Sequence, residues 1–328
     1  MNNVILSVRD LDVEFHSDFG DRIVTDKVSF EVCEGETLGI VGESGCGKSV
    51  SSLAVMGLLP RNGAVLGGEI DFCGRNLLRL KEKELDRVRG KDICMIFQDA
   101  LASLNPLFSV GNQMMEAIRA HTEKNKEKAR RIAVDMLSDV GLPDPEGMMR
   151  KYSFELSGGQ RQRVCIAMAL ACHPKLLIAD EVTTALDVTI QSQIMRMIET
   201  LRTRMDMSML LISHDIGLIA EMSDRVAVMY AGQIIEQADV FELFANPLHP
   251  YTQMLIAATP AVIGDAGREL KAIPGSVPED YSHMSGCRFA DRCPRHSALC
   301  DTPHFLTDAG DAHLVRCVRA EYGKRTNG

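Results

Sequence analysis

Eight residues carry the densest chemistry in this chain: Gly42-Glu43-Ser44-Gly45-Cys46-Gly47-Lys48-Ser49. Glycines at this spacing let a backbone wrap a chain of phosphates without Cβ clashes. The loop amides and the positive end of a following helix would face that anion. Lys48 is placed for the terminal phosphates, and the Ser49 hydroxyl for a Mg²⁺ ion. The competing reading is a glycine turn that merely ends in Lys-Ser. Its context argues otherwise, because Leu38-Gly39-Ile40-Val41 predicts a buried strand before it and Val50 to Leu59 a helix after it, closed by Pro60.

Two further stretches offer complementary chemistry. Leu176-Leu177-Ile178-Ala179 predicts a buried strand ending on Asp180, with Glu181 next. A carboxylate at such a strand end can hold Mg²⁺, and its neighbour can activate a water. Ser157-Gly158-Gly159-Gln160 opens a helix predicted to start near Arg161, and forms a second anion-binding candidate. One nucleotide does not need two such loops from one chain, whereas a head-to-tail pair of chains does. Read alone, Ser157 to Gln160 is a helix cap, and Asp180-Glu181 marks a strand end.

The elements that must position these residues follow from periodicity. Residues 4–15 alternate, with Val4, Leu6 and Val8 followed by Leu11, Val13 and Phe15, which predicts strands of a half-exposed sheet. Val28 to Val32 and Gly67 to Phe72 are expected strands, Leu77 to Arg89 a charged helix, and Ile93 to Phe97 a buried strand ending on Gln98. From Ser103 to about Ala171 the pattern is helical. The basic run Lys124, Lys126, Lys128, Arg130, Arg131 reads as a solvated helix face. Strands return at Lys175 to Ala179 and Ser208 to Ser213, with a helix from Thr189 to Met205 between them. A hairpin is expected across Ala231-Gly232. Alternating strands and helices predict a parallel sheet, with antiparallel strands near the N-terminus.

Bulk properties narrow the class. The chain has 328 residues, 45% hydrophobic and 25% charged, which is a globular composition. The net charge of −9 argues against nucleic acid as the main partner. The longest apolar run, Val164 to Cys172, is well short of the ~20 residues of a membrane span. Arg9, Asp10, Asp12 and Glu14 interrupt any secretion signal. A cytoplasmic protein with at most peripheral membrane contact is expected. Of ten cysteines, Cys33, Cys46, Cys73, Cys94, Cys165 and Cys172 are scattered and read as small buried hydrophobes. Cys287, Cys293, Cys300 and Cys317 crowd the C-terminal region, with five, six and sixteen residues between neighbours. Four thiolates can hold zinc or an iron–sulfur cluster. The lack of a tight C-x-x-C weakens zinc, and Pro294 after Cys293 is a feature of cluster-binding sequences. Free structural thiols are the third reading.

Together these residues resemble the ATPase subunit of ATP-binding cassette (ABC) transporters. Gly42 to Ser49 matches that family's Walker A loop and Leu176 to Asp180 its Walker B strand. Leu156 to Gln160 matches the family signature, Gln98 the Q-loop glutamine, Ala185-Leu186-Asp187 the D-loop and His214 the switch histidine. Asn246-Pro247, His249-Pro250-Tyr251-Thr252-Gln253 and Ile273 to Pro278 are similar to segments of dipeptide and oligopeptide importers. So are Gln98-Asp99 and Ser103-Leu104-Asn105-Pro106.

The resemblance implies an α/β P-loop ABC ATPase with a mixed-sheet core, antiparallel N-terminal strands and an α-helical subdomain, plus a small irregular C-terminal metal-binding domain. The expected boundaries are 1–236 for the nucleotide-binding domain, with its helical part at about 99–171, and 237–328 for the C-terminal domain. It implies ATP and Mg²⁺, held by Gly42, Ser44, Gly45, Cys46, Gly47, Lys48, Ser49 and Val50, with Ser49, Gln98 and Asp180 at the ion. Glu181 would be the general base and His214 would contact the γ-phosphate. Ser157, Gly158, Gly159, Gln160 and Asp187 would serve the paired chain's nucleotide, and Phe15 would stack on adenine, with Phe19 the alternative. A [4Fe–4S] cluster is implied at Cys287, Cys293, Cys300 and Cys317, zinc being the alternative.

The implied partners are a second, related ATPase in a heterodimer, two membrane permease subunits docked through the helical insert, and a periplasmic or surface substrate-binding protein. The implied place is the cytoplasmic face of the inner membrane. The function implied is ATP-driven peptide import. A soluble cassette ATPase acting on ribosomes or DNA, and a redox-sensing ATPase, are the competing readings. One departure stands out: the family reads proline after the Walker B glutamate, and this chain reads Val182. Valine lacks proline's φ restraint, which predicts a looser turn at Glu181 and altered hydrolysis.

Overall fold

The computed structural model describes residues 3–18, 20–98, 103–182, 188–259, 272–278 and 280–318. The chain forms two compact units, Met1–Leu78 with Leu211–Gly328, and Arg79–Leu210.

The first unit begins with β1 (Val4–Phe15) and β2 (Arg22–Cys33), an antiparallel pair. The alternation of β1 changes phase between Val8 and Leu11, and the structure supplies the cause. The register shifts there and Asp10 takes a left-handed φ of 46°, the mark of an inserted residue. Leu6, Val8, Leu11 and Val13 are buried as their spacing predicts, but Ile5 and Ser7 are buried too. The strand is therefore not half-exposed over this stretch, and the helix described next packs against it. After the fully buried β3 (Thr37–Val41) comes α1 (Lys48–Met56), ended by Gly57 in the left-handed conformation that favours glycine. β4 (Gly63–Phe72) and β5 (Arg75–Asn76) complete a sheet of order β2-β1-β4-β5.

The second unit holds α2 (Glu82–Val88), β6 (Ile93–Ile96), α3 (Val110–His121), α4 (Lys126–Asp139), α5 (Pro145–Met148), α6 (Gly158–Leu170), β7 (Leu176–Asp180) and α7 (Val188–Arg204). The charged helix expected over 77–89 is broken. Leu77–Arg79 is a 3-10 turn, and α2 starts afresh where the Glu84 carboxylate accepts the Lys81 amide. β6 and β7 run parallel, and all of β7 is buried. In α3, Val110, Met114 and Ile118 are buried at helical spacing; in α4 the buried stripe is Ala129, Ala133, Met136 and Leu137. The basic run of α4 lies on the opposite, exposed side.

β8 (Ser208–Ser213) contains the boundary between the units. The chain then adds α8 (Ile216–Met222), β9 (Arg225–Tyr230), β10 (Gln233–Asp239), α9 (Val240–Ala245), α10 (Pro250–Ala257), β11 (Thr307–Asp308) and β12 (Leu314–Val315). The predicted hairpin is β9–β10, with Ala231 and Gly232 both at positive φ, as a two-residue turn between twisted strands requires. β9 pairs in parallel with β3, so the first unit presents the order β11-β12-β10-β9-β3 with β8 beside β3. β12, which follows the first three clustered cysteines, pairs directly with β10. The scattered cysteines only partly fit the expected pattern: Cys46, Cys94 and Cys172 are buried, Cys33 and Cys165 half-buried and Cys73 exposed.

Candidate functional site

The glycine loop joins β3 to α1 in the first unit. A Cβ on Gly42 would run into the Met229 carbonyl, and one on Gly47, at φ 104°, would come within 2.9 Å of the Val24 carbonyl. These two glycines thus let the loop lie against β9 and β2. Gly45 also has positive φ, in open space. Lys48 is buried, and its ammonium donates to the carbonyls of Gly42 (2.8 Å) and Glu43 (3.0 Å). Cys46 lies under the loop, and burial pushes its thiol up. Ser44 and Gly45 face solvent, while Ser49 and Val50 are half-buried. Phe15, half-buried, ends β1 opposite Gly63, whose bare Cα leaves room for the ring. His214 follows β8 and is exposed. Asp215 caps α8 by accepting from Gly217 and Leu218, which fixes the backbone that carries His214.

The second unit holds the acidic residues. Asp180, the last residue of β7, is buried. Glu181 stands in the left-handed region at φ 47°, a costly conformation for a non-glycine residue. Gln98, just past β6, donates its amide to the Glu181 carboxylate at 2.7 Å. Val182 is buried, and its carbonyl accepts from buried Gln162 of α6 at 2.6 Å. Packing and this hydrogen bond hold the turn where proline is missing. Sequence reasoning passed over Gln162; a polar residue among the inward positions of α6 was the available signal.

Ser157 caps α6, which starts three residues before the expected Arg161. Its hydroxyl accepts from the Gln160 amide, and the Gln160 side chain accepts from the Ser157 amide. A Cβ on Gly158 would meet nothing within 4 Å, and one on Gly159 only Ile190 at 3.8 Å. Nothing within the described residues requires glycine at either place. Asp187, with Ala185 and Leu186, lies outside the described residues, as do Phe19 and Asp99.

Cys287, Cys293, Cys300 and Cys317 line one cavity together with His249 and His304. Burial pushes the Cys287 thiol up to about 11, the Phe289 backbone opposes this, and the three neighbouring thiols add to it. Among the described residues, no three of these four sulfurs lie within 4.8 Å of one another. Beside the cavity, the rings of Tyr230, Tyr251, Phe289 and His249 pack at 4.8 to 5.9 Å. The Tyr251 hydroxyl accepts the Glu43 amide at 3.0 Å, tying this cluster to the glycine loop.

Comparison with known proteins agrees with this arrangement. The ABC transporter family matches residues 25–184, and the oligopeptide/dipeptide transporter C-terminal region matches residues 235–300. The chain is 47% identical over 296 residues to the dipeptide transport ATP-binding protein DppD of Escherichia coli, covering 90% of each. It is 46% identical over 315 residues to DppD of Bacillus subtilis, covering 95% of this chain and 94% of that one. Among solved structures, cbiO1 from Clostridium perfringens, part of the ABC transporter complex cbiONQ, aligns with a TM-score of 0.64 at 27% identity, over 74% of this chain and 92% of its own. A dimeric ATP-binding cassette bound to ADP and Pi shares the fold at a TM-score of 0.64 and 24% identity, over 72% and 98%. With its glycine loop, its Asp180-Glu181 strand end and its cysteine-bearing C-terminal region, this chain belongs to the ATP-binding proteins of ABC transporters, an ATPase family.

Proposed function

We propose that this chain is the ATP-hydrolysing subunit of a peptide importer, working at the cytoplasmic face of the inner membrane. The observation that carries the hydrolytic part is the Gln98–Glu181 hydrogen bond, which holds a carboxylate in a strained turn directly after buried Asp180. Lys48 and the loop amides bind the β- and γ-phosphates of ATP. Ser49, Gln98 and Asp180 are the residues that would hold Mg²⁺, which would supply positive charge to the phosphates. Glu181 accepts the proton of the water that attacks the γ-phosphorus, and the bond to the ADP oxygen breaks in line. His214 contacts the γ-phosphate, and Phe15 stacks on adenine.

Ser157, Gly158, Gly159 and Gln160, with Asp187, serve the nucleotide of a second, related ATPase in a heterodimer. The open space at Gly158 and Gly159 supports this, since bare backbone with no neighbour of its own suits close approach by an outside anion. Leu107, Phe108, Tyr152 and Phe154 are exposed apolar residues of the second unit, and a backbone bridge joins Ser109 to Tyr152. They suit docking on two membrane permease subunits, which receive cargo from a periplasmic or surface binding protein. The division of labour follows 1–236 and 237–328.

The C-terminal part carries a [4Fe–4S] cluster. Four cysteines lining one cavity, with no tight C-x-x-C pair and with Pro294 after Cys293, support the cluster over zinc. The iron and inorganic sulfide would come from outside, while the chain would provide the four cysteine thiolates and a part-buried wall.

ATP hydrolysis by the purified chain with its related ATPase and a permease pair tests the reading. Glu181→Gln should bind ATP, trap the two ATPases together and lose turnover. Peptide uptake by the reconstituted assembly tests the cargo class, and iron content with visible absorbance after anaerobic purification tests the cluster. A colourless, iron-free protein rejects it.

A further inference from the structure

Glu43 puts a carboxylate inside a loop built to hold polyphosphate. An uncompensated negative charge there would repel the ligand. The structure contains the compensation. Arg292 places both terminal nitrogens on the two oxygens of Glu43, at 3.0 and 3.2 Å. Its Nε donates to the Pro274 carbonyl (2.8 Å), and its Nη1 to the Tyr230 hydroxyl (3.2 Å). The guanidinium lies 5.6 and 5.8 Å from the ring centres of Tyr230 and Phe289, and the side chain is almost wholly buried. A two-pronged, part-buried pair of this kind is stronger than a single-contact surface ion pair and fixes geometry as well as charge. Arg292 is adjacent to Cys293, and five residues from Cys287. Four residues earlier, Arg288 anchors the same segment by donating to the Ala231 carbonyl and to Asp26, both at 2.5 Å.

We propose that Arg292 is a positioning residue of the nucleotide site: it neutralises and orients Glu43 of the glycine loop, so that the cysteine-bearing segment sets the affinity for ATP. The inference rests on the reading of that loop as the ATP site and extends it to a residue about 250 positions away in the chain. Loss of Arg292 leaves Glu43 as a bare carboxylate beside the triphosphate. Removing that carboxylate as well should restore binding, which a merely structural role of Arg292 would not allow.

The test is equilibrium titration of the full chain with methylanthraniloyl-ATP, without turnover, for wild type, Glu43→Gln, Arg292→Ala and the double variant. Arg292→Met, which keeps the stem packed on Tyr230 and Phe289, replaces Arg292→Ala should the latter not fold. Arg292→Ala or Arg292→Met is expected to raise Kd at least fivefold, and the double variant to return to within twofold of Glu43→Gln. A single Arg292 variant within twofold of wild type overturns the proposal, as does a double variant no better than the single. A wild-type chain that binds no nucleotide overturns the underlying reading of the loop instead.

Discussion

Gln98 and Glu181, 83 positions apart in the chain, are joined by a 2.7 Å hydrogen bond from the glutamine amide to the carboxylate. The bond aims the Glu181 carboxylate from the end of β6. Gln98→Ala should therefore lower kcat at least tenfold while changing nucleotide affinity by a smaller factor. Glu181→Gln should lower kcat at least a hundredfold with binding retained. Steady-state hydrolysis beside equilibrium nucleotide titration checks both.

Val182 offers a second test of the same turn. A proline drives the residue before it toward extended backbone, yet Glu181 sits at φ 47°. Val182→Pro should pull Glu181 out of its left-handed conformation and shift kcat at least threefold, with ATP affinity within twofold. Unchanged turnover would show that Gln162 and packing alone determine the turn.

Gly158 and Gly159 should separate stability from function. Alanine at either place meets no close neighbour and reduces the freedom of the unfolded chain. Gly159→Ala should leave thermal stability unchanged or raise it by roughly 0.4–1 kcal/mol. ATP hydrolysis by the assembled pair should nonetheless fall by more than tenfold. A less stable variant with normal hydrolysis would place the need for glycine inside the chain.

Glu236 joins two histidines with opposite pH effects. It accepts the His249 amide at 3.0 Å and lies 2.8 Å from His313 Nε2. Burial lowers His249 to about 4 from 6.5, against the pull of Glu236. The unfolded chain thus takes up a proton that the folded one refuses, and stability falls as pH drops from 6.5 toward 4, by about 3 kcal/mol in all. His313 is raised: burial opposes its charge, but Glu236 and Glu242 outweigh that. Its contribution is complete below 6.5 and is lost as pH climbs through its raised value. Urea midpoints should therefore peak near pH 6.5, and His313→Gln should flatten the alkaline side.

Leu107, Phe108 and Phe154 should matter only in the assembly. Changing Leu107 and Phe154 to serine should leave nucleotide binding within twofold, because both are largely exposed. Co-purification with the permease pair should fall at least tenfold. Retained co-purification would move the docking surface elsewhere.

Local sequence determined the parts whose chemistry is local. The glycine loop between β3 and α1, the Asp180-Glu181 strand end and the Ser157 cap each need only neighbouring residues to form, so spacing alone disclosed them. The phase slip between Val8 and Leu11 even marked the bulge in β1. Tertiary structure decided what distant residues do to one another. Pairing of Gln98 with Glu181, support of Val182 by Gln162, and neutralisation of Glu43 by Arg292 depend on strands and turns meeting after long detours of chain, and no periodicity records such meetings. The four cysteines show both sides: their crowding is plain in the sequence, but that all four line one cavity with His249 and His304 is decided by the fold.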